Sequence, residues 1–136
     1  MIFERSVEKG ISSRMFIKCF MLSEEARLLD DLSLEIAGLT EIEIFDSIRK
    51  RIKTKNCQLL PYLLIHFIGY FYRAAAYLSG YSSKQIYEMI PISFLEKNYL
   101  VLHTFAIEEA VKEVFQILKI PENDMYKRFK AIYTSI

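Results

Sequence analysis

Tryptophan is absent from these 136 residues, and cysteine, histidine, proline and glycine are scarce, at two, two, three and four. Each shortage excludes a class of protein. Cys19 and Cys57 stand far apart with no C-x-x-C spacing, which leaves neither a disulfide framework nor a zinc knuckle. The chain opens without a basic, apolar and cleavage-site pattern, so a reduced, cytoplasmic setting with two buried thiols is expected. Four glycines are too few for a loop that wraps phosphates. The chain contains no H-E-x-x-H, no Glu-x-x-His and no G-x-S-x-G. No catalytic residue, metal or cofactor is therefore expected.

Neither sign of charge dominates, with 18 Lys and Arg against 17 Asp and Glu. A net +1 provides little drive toward nucleic acid.

What the chain has in abundance is apolar and aromatic side chains: 52% of residues are hydrophobic, with ten Phe and nine Tyr. At this length that content closes one core, hence a single domain over 1–136. The aromatic excess fills that core or presents an apolar surface to a partner. Residues 59–79 read LLPYLLIHFIGYFYRAAAYLS, where only His66 and Arg73 are ionisable apart from tyrosines. Apolar residues on every face predict the buried central helix of a bundle. About 20 apolar residues also suffice to cross a bilayer. Here Pro61, His66, Gly69 and Arg73 interrupt the run and no basic flank anchors it, so no membrane span is expected.

Helical signals recur on either side. Ser23 caps a helix over residues 24–37, with Leu28, Leu29, Leu32 and Ile36 on one face and Gly38 as its stop. Thr40 with Glu43 opens the next, whose stripe of Phe45, Ile48 and Ile52 runs to about residue 55. The central helix spans about residues 58–79 and ends at Gly80. Ser82 and Gln85 box a short helix that Pro91 terminates, and Ser93 with Glu96 starts a long one to about residue 119. Pro121 opens a last helix through residue 133. In the first 22 residues Phe3, Val7 and Ile11 have helical spacing. The run RMFIKCFML after a Glu8-Lys9-Gly10 turn also fits a strand. The expectation is an all-α, single-domain bundle of five to seven helices around residues 58–79, with a short N-terminal β-hairpin left open.

Charge is segregated along the chain. Residues 23–46 carry eight acids against Arg27 alone, and Arg49, Lys50, Arg51, Lys53 and Lys55 follow within seven residues. A helix dipole favours that order, which makes a solvated helix one reading and an anion or nucleic-acid contact the other.

Ala76, Gly80 and Ile86 have the spacing of a helix-turn-helix, in which a small residue and an aliphatic one meet across a turn glycine. The stretch GYSSKQIYEMI resembles the helix-turn-helix of AraC-type transcription regulators, over about a tenth of the chain. The resemblance implies DNA contacts from Ser83, Lys84 and Gln85. Such regulators continue into a helix rich in Arg and Lys, whereas here Lys84 is the only base before Pro91. A structural corner between two helices is the competing reading.

His66 and His103 lie in apolar segments and, on antiparallel helices, come to similar heights. With Arg73 they form a candidate pocket for an apolar ligand bearing a carboxylate; otherwise Arg73 snorkels to solvent or pairs with an acid from residues 24–46. Three functions follow. The first is a non-enzymatic interaction or regulatory protein that self-associates as a homodimer or binds a protein partner. The second is a DNA-binding regulator, and the third an apolar-ligand binder.

Overall fold

A computed structural model describes residues 2–30, 40–52 and 59–123. The described residues form nine helices and no strand: α1 Ile2–Glu8, α2 Ser13–Met21, α3 Glu24–Asp30, α4 Glu41–Arg49, α5 Tyr62–Ser79, α6 Ser83–Met89, α7 Ile92–Lys97, α8 Tyr99–Leu102 and α9 Ile107–Ile117.

The N-terminal hairpin alternative gives way to two helices, and Gly10 is the reason. With φ at +68° it ends α1, its N–H bonded to the Val7 carbonyl and the Ile11 N–H to the Ser6 carbonyl. That pair of bonds closes a helix, not a strand pair. Thr40 and Ser82 cap α4 and α6 as their spacing predicts, each accepting the N–H three residues on. Only the second is a complete box, because Gln85 returns a bond to the Ser82 N–H while Glu43 turns to the Thr40 hydroxyl.

The long helix predicted from Ser93 is instead three short ones. Glu96 does not cap it; its carboxylate takes the Arg14 guanidinium, at 2.9 Å from Nε and 2.5 Å from Nη2. The Asn98 amide and the Thr104 hydroxyl donate to the carbonyls of Phe94 and Val101, which competes with helix continuation around residues 98 and 103–106. Predicted segments over residues 31–39, 53–58 and beyond 123 lie outside the described residues.

The hub is α5, which packs against α1, α6, α7 and α9. Its inner face of Ile65, Ile68, Phe71, Tyr72 and Ala75 is fully buried. Phe3 enters over Gly69 and meets Phe16 and Phe20 edge-on, at 6.1 and 5.2 Å between centroids. The Tyr72 hydroxyl donates to the Ile90 carbonyl at 2.6 Å, and burial pushes its pKa up. Burial on every side of α5 does not hold, however. Its neighbours span 6 to 11 residues, and helices so short cannot jacket an 18-residue one of about 27 Å.

Candidate functional site

The uncovered side of α5 is aromatic. At 100° per residue, Tyr62, Leu63, His66, Tyr70 and Tyr77 share roughly a 100° arc. Their exposures are high for apolar residues: Tyr77 83%, Leu63 69%, Tyr62 50% and Tyr70 46%. No Asp, Glu or Lys occurs anywhere in α5. Beside it, Tyr99 meets Phe67 edge-on at 5.4 Å, so α8 flanks this face, with Leu100, Val101 and the following Phe105 also exposed. Apolar groups gathered like this on a small domain make the face a candidate binding surface.

The sequence pattern does not separate this face from the buried one by hydrophobicity. A finer signal does: the outward positions carry aromatics with polar tips, Tyr and His, while the inward ones are mainly Ile, Phe and Ala. Rings with a polar edge tolerate water on one side and a partner on the other.

His66, Arg73 and His103 have separate partners. His66 sits on the aromatic face, its side chain 52% exposed, with Nδ1 2.5 Å from Oε1 of the buried Glu4. Burial alone would raise the Glu4 pKa, yet hydrogen bonds from its own backbone N–H and the His66 ring help to bring it below the usual carboxylate value. Arg73 pairs with Asp30 at 2.9 Å, and its guanidinium lies over the Phe20 ring. The Ser83 hydroxyl accepts from Arg73 and donates to Asp30 at 2.8 Å, and the Ser83 N–H reaches the other Asp30 oxygen at 2.7 Å. Asp30 therefore ties α3, α5 and α6 together. His103 is exposed, stacks on Tyr99 at 4.6 Å and donates from Nδ1 to the Tyr99 carbonyl at 2.8 Å.

The candidate nucleic-acid residues differ in exposure and partners. Ser83 is buried within the Asp30 network, whereas Lys84 and Gln85 are exposed. Arg51 reaches back to Glu25, with Nη1 and Nη2 at 3.0 and 2.7 Å from its oxygens, while Arg49 and Lys50 face solvent. That contact and the Ser47 hydroxyl overcome desolvation and lower the Glu25 pKa. Lys53 and Lys55 lie outside the described residues.

Among the described residues, two cavities stand out. One of about 640 Å³ lies between the end of α5 and α9, with Leu78, Val111, Phe115 and Ile120 among its lining. The other, about 300 Å³, borders Ser23, Arg27, Asp30 and Lys84. Neither is lined by His66, Arg73 or His103. Among the described residues no cluster of three or more His, Cys, Asp or Glu could hold a metal, and no helix is long and apolar enough to cross a membrane. No family model matches the chain, nor does any curated protein or solved structure at a significant level.

Proposed function

We propose that this chain is a non-enzymatic helical interaction or regulatory protein of the cytoplasm, docking a protein partner through the outward face of α5. The exposed row Tyr62, Leu63, Tyr70 and Tyr77 on the domain's central helix carries the reading. Covering such side chains with a partner removes apolar area from water at about 25 cal/mol per Å². Tyr and its like are what interface centres are enriched in. The cytoplasmic setting rests on the cysteine pattern of the sequence.

A photoreactive amino acid placed at position 70 or 77 in living cells tests this. Protein adducts are expected from both positions and not from position 112, on the charged face of α9. Absence of adducts at both α5 positions overturns the reading.

A second reading, an apolar-ligand binder, draws support from the 640 Å³ cavity rather than from His66, Arg73 and His103. A small molecule retained in native mass spectra, and lost in a Val111→Trp variant, is its test.

A further inference from the structure

We infer that the partner on the α5 face is a second copy of this chain, paired antiparallel about a twofold axis at Tyr70. The inference rests on the reading of that face as an interaction surface and adds the identity and register of what covers it.

Three observations converge. The first is the order of side chains about Tyr70. In an antiparallel pair centred there, residue numbers facing each other sum to twice 70, so Leu63 meets Tyr77 of the other copy and His66 meets Ala74. A large ring thus faces an aliphatic side chain, and the other large group faces the smallest residue available. An isologous contact requires such self-complementarity. At the axis Tyr70 meets Tyr70 of the other copy, and two such rings can stack offset against each other.

The second is charge. Arg73 falls within the arc, between Tyr62 and His66, but its charge is paired by Asp30, and His66 is the other ionisable group there apart from tyrosines. A copy laid on a copy therefore brings no unpaired like charges together. The outer face of α9 behaves oppositely, because Glu108, Glu109 and Glu113 are all exposed and would meet their counterparts.

The third is area. At roughly 200 Å² for a full-size aromatic, the exposed parts of Tyr62, Leu63, His66, Tyr70 and Tyr77 amount to on the order of 600 Å² per copy. Leu59, exposed three residues before α5, and partly exposed Ala74 extend the patch toward the ~800 Å² per partner of a specific interface.

Sedimentation equilibrium of the full chain over a range from about 1 to 200 µM provides the first test. A monomer–dimer transition is expected. Tyr70→Glu and Tyr77→Glu should each raise the midpoint concentration at least tenfold with helical content unchanged by circular dichroism, while Lys112→Glu leaves it in place. Register is read from disulfides in a chain with Cys19→Ser and Cys57→Ser. Tyr70→Cys should crosslink to itself, whereas Leu63→Cys and Tyr77→Cys should crosslink when mixed and poorly alone. If that background does not dimerise, amine-free photocrosslinking at position 77 with peptide mapping reads the same register. A monomer at every concentration overturns the inference, as does a dimer insensitive to both Tyr→Glu variants or a Leu63–Leu63 crosslink. A monomer that still forms adducts with another protein from position 70 overturns this inference alone and leaves the proposed function standing.

Discussion

Phe3 occupies the space that a side chain at Gly69 would fill: a Cβ on residue 69 would lie within 3.0 Å of three Phe3 ring carbons. The ring cannot step aside, since Phe16 and Phe20 hold its edges. Gly69 is thus the point at which α1 locks onto the hub.

Gly69→Ala should accordingly destabilise the fold by about 1–3 kcal/mol through overpacking, even though Ala is the better helix former by about 1 kcal/mol. Phe3→Ala removes the obstacle at a cost of about 3–5 kcal/mol. In that background Gly69→Ala should turn neutral or stabilising. Urea midpoints of the four chains measure the cycle, and an unchanged effect of Gly69→Ala in the two backgrounds would refute the locking contact.

Asp30 receives three bonds, two from Ser83 and one from Arg73, across the corner where the helix-turn-helix resemblance lies. Asp30→Ala should cost about 2–3 kcal/mol, because it leaves a part-buried guanidinium without its carboxylate and the Ser83 N–H and hydroxyl without their acceptor. Arg73→Met should cost less: Asp30 keeps its Ser83 bonds and the methionine stem still covers Phe20. The reverse order in thermal denaturation would show that the corner is held otherwise.

That corner also shows what could be read before the structure. Caps at Thr40 and Ser82 and the stop at Gly80 depend on local chemistry, and all stand where the spacing puts them. The break of the long helix near Asn98 and Thr104 was hidden because Glu96 is claimed by Arg14, 82 residues away, and no local pattern records such a partner. The open side of α5 was hidden for a related reason. Hydropathy reports what a residue prefers, whereas exposure depends on whether neighbours are long enough to cover it. Of the candidate site residues, pairing of Arg73 with an acid was one of two alternatives to a ligand role that its isolation among apolar neighbours offered, beside reaching out to solvent; that Asp30 would be the acid was not legible.

Lys119 stands at φ 55° where α9 ends, with its N–H bonded to the Gln116 carbonyl and the Ile120 N–H to the Phe115 carbonyl. This is the same closing pattern that Gly10 makes for α1, formed here by a residue with a Cβ. Lys119→Gly should therefore stabilise the chain by about 0.5–1 kcal/mol. Lys119→Val, branched at Cβ, should destabilise it by a similar amount or more. Equal effects of the two substitutions on the urea midpoint would exclude a left-handed cap.

Glu4 makes stability depend on pH in one direction. Its folded-state pKa lies below the ordinary value of 4.5: burial raises it, and hydrogen bonds from its own backbone N–H and the His66 ring are among the interactions that bring it down. The unfolded chain therefore binds a proton at Glu4 before the folded one does. The stabilisation is present in full above about pH 4.5 and disappears as the pH falls through the lowered folded value. Glu25, lowered by Arg51 and Ser47, acts in the same window. Glu4→Gln cannot ionise, so its deficit relative to the unsubstituted chain should be largest near pH 6 and shrink steadily toward pH 3. Glu25→Gln should remove a separate part of the acid limb, and the double variant should be flatter than either. Urea midpoints at half-unit intervals from pH 3 to 7 measure this; parallel curves for the unsubstituted chain and Glu4→Gln would mean that the carboxylate beside His66 gains nothing from its charge.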